Sequence, residues 1–128
     1  MQIKLTKEES EQYFYNALCN GLGYASGYGL EVDADELEYN KAKQSLKKDS
    51  LSLCFEDILM ELLRQDGTLI FDNSLYPEYQ TKIKLKDVHE RVQNTQTNHL
   101  MDMVNEQDDA ITADVIIQTV LFNEIIFG

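Results

Sequence analysis

Five apolar residues at helical spacing, Phe55, Ile58, Leu59, Leu62 and Leu63, constrain this chain more than any other feature. They follow the i, i+3, i+4, i+7, i+8 pattern, which puts all five side chains on one helical face. A face of that kind folds only against another element, and each fully buried side chain contributes about 1.5–3 kcal/mol. Ser50 or Ser52 is the expected cap, and the helix is expected to end near Gln65. Asp66-Gly67 then lets the chain turn with positive φ.

The pattern changes from helical to alternating after this turn. Residues 68–71 read as a strand. Tyr79, Thr81, Ile83 and Leu85 alternate with Gln80, Lys82, Lys84 and Lys86, which describes a half-buried strand with a lysine-rich outer face. The intervening loop, residues 72–78, contains Pro77. A two-stranded hairpin over residues 68–85 is marginal alone and has to pack on helices. Residues 3–5 are a short extended piece that could join it.

Further helices surround this centre. Thr6 and Glu9 have capping-box spacing ahead of a face formed by Tyr13, Phe14, Ala17, Leu18 and Gly21. Gly21 and Gly23 are expected to end that helix, leaving residues 21–29, with four glycines, as a packed loop. A short extended piece at 30–32 precedes Asp33 and Glu36, which repeat the capping spacing and open a thinly apolar surface helix to about residue 48. Asp87 and Glu90 open another short helix, and Leu100, Met101, Met103 and Val104 mark the next. Asp108-Asp109 is a stop and cap. Residues 110–127 then read as a buried helix, although their β-branched content leaves a strand open. The expected fold class is therefore α+β: a helix-rich single domain over residues 1–128 with the hairpin packed on helices. Its 43% apolar content fits a globular chain rather than a disordered one.

Charge narrows the function classes. The formal net charge is −12. Acids dominate residues 1–40, where only Lys4 and Lys7 oppose them, and residues 92–128, which contain no Lys or Arg. Residues 41–91 are balanced. Such a surface repels phosphate backbones and anionic lipid, so direct binding of nucleic acid or membrane is not expected. The apolar stretch from 115 to 127 is too short to span a bilayer, and Gln118, Thr119, Asn123 and Glu124 interrupt it. Residues 1–10 are polar with no apolar core, and Cys19 and Cys54 read as buried reduced thiols. A cytoplasmic location is the expectation.

Motifs for catalysis are weak. Gly21-Leu22-Gly23 lacks the third glycine and the preceding strand of a dinucleotide fingerprint. His89-Glu90 lacks a second histidine at position 93, which is glutamine. No cofactor and no metal ligand set is expected. Two further features are not explained by local folding rules alone. Tyrosines crowd the first forty residues, and the apolar end Ile125-Ile126-Phe127-Gly128 is expected to dock into this domain's own core, with packing on a partner subunit as the alternative. Tyrosine is enriched at interfaces because it joins apolar area to a hydroxyl.

Three functions follow. The leading one is a non-enzymatic interaction protein, able to act as a homodimer, with Tyr15, Tyr24, Tyr28, Tyr39 and Phe127 as its candidate surface. A second is an acidic mimic that occupies the groove of a nucleic-acid-binding protein. It needs Glu31, Asp33, Asp35, Glu36, Glu38, Asp102, Glu106, Asp108, Asp109 and Asp114 to form one stripe. A third is a metal-dependent hydrolase using Glu8, Glu11, Glu106 and Asp109.

Overall fold

A computed structural model describes residues 3–47, 53–107 and 109–128. Ser50, Ser52 and Asp108 lie outside the described residues. The elements run α1 (Lys7–Ala25), β1 (Leu30–Ala34), α2 (Glu36–Lys47), α3 (Phe55–Arg64), β2 (Leu69–Asn73), β3 (Thr81–Ile83), α4 (Leu85–Arg91), α5 (Thr97–Val104) and α6 (Ala110–Phe122). The fold is α+β and helix-rich, with the expected hairpin formed by β2 and β3.

The core forms around α6, in which every residue from Thr112 to Leu121 is buried. Its neighbours explain this. α1 packs on it most extensively, and α5, β3 and α4 pack against it as well. At the α1–α6 crossing a Cβ added to Gly21 would lie 2.9 Å from the Ala113 Cβ. Gly21 therefore sits inside α1 as a contact point and does not end it, contrary to the sequence expectation. A glycine costs about 1 kcal/mol in a helix interior, and here the close approach of two helices offsets it. Leu18, Ile116, Ile117 and Val120 are packed with no exposure.

α3 presents Ile58, Leu59, Leu62 and Leu63 to this core, as its spacing requires. Phe55 departs from the expected face and remains 43% exposed. The Cys54 amide donates to Asp57 Oδ2 (3.4 Å) at the start of α3. Asp66 adopts φ 64° just after it, and the chain turns into β2.

The sheet has three antiparallel strands in the order β1-β2-β3. The strand that joins the hairpin is residues 30–34, not 3–5. Leu30, Val32 and Ala34 alternate with Glu31 and Asp33, and this period of two is what a strand with one solvated face needs. Gly29 makes the entry possible: its φ is +97°, and a Cβ there would lie 2.5 Å from Asn73 Oδ1. β3 is shorter than its alternating pattern, because the Lys84 amide donates to Asp87 Oδ2 (2.8 Å) and starts α4. Leu85 belongs to that helix. Asp87 acts three positions after Lys84, so the expected Asp87–Glu90 box does not form the cap. α2 shows a similar shift: the Glu38 amide donates to Asp35 Oδ2 (3.1 Å), which makes Asp35 the cap in place of Asp33.

α6 stops at Phe122, five residues before the expected end. Asn123 takes a left-handed conformation (φ 57°) and the tail folds back. Gln118, fully buried on α6, holds it there. Its Oε1 accepts from the amides of Ile126 and Phe127 (both 2.9 Å), and its Nε2 donates to the Phe127 carbonyl (2.8 Å).

Candidate functional site

The register of β1 on β2 fixes which backbone groups of β1 are free. Leu30 pairs with Asn73 and Val32 with Phe71. Just before β1, the Gly29 carbonyl accepts from the Ser74 amide (2.9 Å), which belongs to the same ladder. In an antiparallel ladder such hydrogen-bonded pairs alternate with non-bonded ones. Glu31 and Asp33 therefore face β2 with their N–H and C=O groups. The N–H and C=O groups of Leu30, Val32 and Ala34 point to the opposite side, away from the sheet. The Ala34 amide confirms the geometry, since Asp33 Oδ1 of its own strand accepts from it (2.8 Å).

That open side borders a shallow hollow of about 310 Å³, lined by Val32, Ala34, Tyr39, Phe55 and Leu59, with Asp33 and Glu36 at its mouth. Three elements build it. β1 supplies the backbone edge, α2 supplies Tyr39, and the first turn of α3 supplies the half-exposed Phe55. The rings of Tyr39 and Phe55 lie 6.2 Å apart. Leu37, 79% exposed, stands in the first turn of α2. Glu31, Asp33, Asp35 and Glu36 are all exposed. Among the described residues, a strand edge with no strand beside it, an apolar lining and exposed carboxylates thus occur together.

A larger cleft of about 530 Å³ separates α1 from α3 and is lined by Glu8, Glu11, Tyr15, Asp57 and Arg64 among others. Glu11 and Arg64 of this cleft are paired with each other. Glu11 accepts from His89 Nε2 (2.9 Å) and from Arg64 Nε (3.0 Å). Burial works to raise the Glu11 pKa, but the His89 and Arg64 bonds prevail and hold it below the ordinary carboxylate range. The Tyr15 hydroxyl is bonded to Asp57 and Cys19, which pushes its pKa up. Cys19 and Cys54 are both exposed thiols, not buried ones: Cys19 lies off the buried face of α1, and Cys54 precedes the first turn of α3. Burial of the Cys19 sulfur is nonetheless enough to raise its pKa.

The sequence-predicted surface residues are dispersed. Tyr39 lines the hollow, Tyr15 lines the α1–α3 cleft, and Tyr24 is exposed near the end of α1. Tyr28 and Phe127 form a third place. Their rings stack at 4.2 Å, and Tyr76, Tyr79 and Phe122 close around Phe127. The Tyr28 hydroxyl donates to Asp114 Oδ1 (2.6 Å). Burial first, and then the Asp114 bond, raises the Tyr28 pKa. Burial also raises that of Asp114, against the bonds from Tyr28 and Gln118.

The carboxylates divide in the same way. Asp114 is buried, so it belongs to the interior and not to a solvated stripe. Glu38 accepts from the Thr68 amide (3.1 Å), and Asp109 caps α6 through the Thr112 amide (2.9 Å). Bonding by that amide holds the Asp109 pKa down. Glu106 has φ 57° in the α5–α6 turn, and Asp102 is half-buried. β1 and α2 pack chiefly on β2 and α3, whereas α5 packs on α6, so the two acidic groups rest on different neighbours. Glu8 and Glu11 stand at the first turns of α1, while Gly21 near its other end meets Ala113. Ala113 stands in the first turn of α6, just after its cap Asp109, so Glu8 and Glu11 lie toward the end of α1 far from this contact. Among the described residues no three His, Cys, Asp or Glu side chains are grouped so as to hold a metal ion.

Comparison with protein-family models, curated proteins and solved structures finds no match for this chain. Among the described residues no helix is long and apolar enough to cross a membrane.

Sequence reasoning found the acids of β1 and Tyr39 but missed Val32, Ala34, Phe55 and Leu59 as site residues. The signal available was the alternation of Leu30, Val32 and Ala34 with Glu31 and Asp33. It announces a strand with an acidic outer face. That this strand lies at the edge follows only from the order of the sheet.

Proposed function

We propose that this chain is a non-enzymatic interaction protein that engages a partner protein through the acidic edge of its sheet. One observation carries the reading. The outward N–H and C=O groups of β1 lie beside an apolar hollow whose aromatic lining is half-exposed. Edge strands in proteins are ordinarily blunted or covered, since their free backbone groups invite pairing. Among the described residues the Ala34 end is the part that is blunted, by the Asp33 carboxylate. Tyr39 and Phe55 have the amphipathic and aromatic character of interface anchors.

The test is affinity capture from an extract of the protein's own cells, comparing wild type with D33K, F55S and Y24S. The reading expects a specific protein retained by wild type and by Y24S, and lost by D33K and by F55S. Retention of the same proteins by all four chains would refute it.

A further inference from the structure

We propose that the partner enters as a strand: an extended segment carrying Lys or Arg at alternate positions pairs with β1 and extends the sheet to four strands. This rests on the reading above and names the mode and chemistry of binding. Strand addition uses main-chain hydrogen bonds for affinity and alternate side chains for specificity. β1 meets both requirements. Its outward groups at Leu30, Val32 and Ala34 supply a repeating set of donors and acceptors on the open side, apart from the Ala34 amide held by Asp33. Side chains of an added strand alternate between the two faces. Those pointing inward would enter the hollow over Tyr39, Phe55 and Leu59, which selects aliphatic residues. Those pointing outward would lie beside Glu31 and Asp33, both exposed, with Glu36 close by at the rim. Opposite charges on neighbouring strands are favourable, and like charges directly opposite are not.

The same carboxylates argue against a second copy pairing edge to edge through β1. Such a two-fold contact would set Glu31 and Asp33 of one protomer against the same residues of the other. Charge thus favours a basic segment of a different protein.

The register supplies a clean variant. Proline lacks the amide proton and is tolerated in a sheet only where that proton is not used. The Val32 amide points away from β2, so V32P leaves the β1–β2 ladder intact and removes an outward donor at the centre of the edge. E31K/D33K reverses the charge and keeps every main-chain donor of the edge, releasing the Ala34 amide from Asp33 Oδ1. The experiment pans a random peptide library displayed on phage against the full chain, then measures the selected peptides by titration. Circular dichroism verifies that both variants fold.

The expected result is enrichment of peptides alternating Lys or Arg with Val, Ile or Leu. Their affinity falls roughly tenfold or more in V32P, from lost main-chain bonds, and by a similar factor in E31K/D33K. Raising the salt concentration weakens wild-type binding. Binding that survives V32P but not E31K/D33K would overturn strand addition while leaving the acidic surface as the site. No enrichment, or enrichment of acidic peptides, would overturn the basic partner. A dimer of the free chain by light scattering that V32P dissolves would assign the edge to a second copy and overturn the proposal.

Discussion

The corner around Tyr28 and the edge around Tyr39 contain the same kinds of residue and use them in opposite ways. At the corner, tyrosine, carboxylate and apolar tail are joined. Tyr28 bonds Asp114, Asp114 bonds Gln118, and Gln118 bonds the backbone on which Phe127 is stacked. At the edge, Tyr39 and Phe55 are left half-covered, the carboxylates of Glu31 and Asp33 face solvent, and backbone groups point outward. Residue type therefore does not separate a tyrosine closed into the fold from one left half-covered at its edge. What separates them is whether the polar groups around the ring have partners within the chain.

The largest effect should come from breaking the closed corner. Q118L removes the acceptor for two amides and the donor to Asp114 and to the Phe127 carbonyl. It should lower stability by about 3–4 kcal/mol, since buried groups left unpaired cost 1–3 kcal/mol each. Thermal melting measures the loss, and a change in the tyrosine near-ultraviolet signal should accompany it as the tail detaches. An unchanged melting temperature would mean that the tail is not held by Gln118.

Two prolines sharpen the contrast within β1 itself. D33P removes an amide that bonds β2 and should cost about 3 kcal/mol. V32P removes one that bonds nothing in the ladder and should cost no more than about 1 kcal/mol. Urea unfolding of both variants gives the ratio. Equal losses would contradict the register-based assignment of outward groups.

A smaller effect is expected in the α1–α3 cleft. E11Q should destabilise by roughly 0.5–1 kcal/mol at neutral pH, because the pairs of Glu11 with His89 and Arg64 are partly exposed. The folded pKa of Glu11 lies below its ordinary value. Its contribution is thus complete above that ordinary value and is lost as pH falls through the lowered one. Wild type and E11Q should therefore converge in acid denaturation. Asp114 works with the opposite sign, because its folded pKa is raised: the stability it contributes when protonated declines as pH rises toward and through that value.

Much of the fold was legible in local patterns. The face of α3, the Thr6–Glu9 capping box of α1 and the pairing of β2 with β3 all rest on short-range rules that nothing distant opposes. Elements were misjudged where tertiary contact overrides propensity. Gly21 reads as a stop, yet Ala113 makes it a helix contact. The tail at 123–127 reads as more helix, yet Asn123 turns it back onto Gln118. Half of the candidate site was legible as well, through the acids beside Val32. The other half was not, because the hollow is assembled from β1, α2 and α3, which only the tertiary fold brings together.

Residue-by-residue amide hydrogen exchange across β1 tests the central claim most directly. Alternation is expected in the free chain: slow exchange at Glu31 and Asp33, fast exchange at Val32, and slowing at Val32 once a selected basic peptide is bound. Exchange at Val32 as slow as at Asp33 in the free chain, or unaltered by the bound peptide, would contradict it.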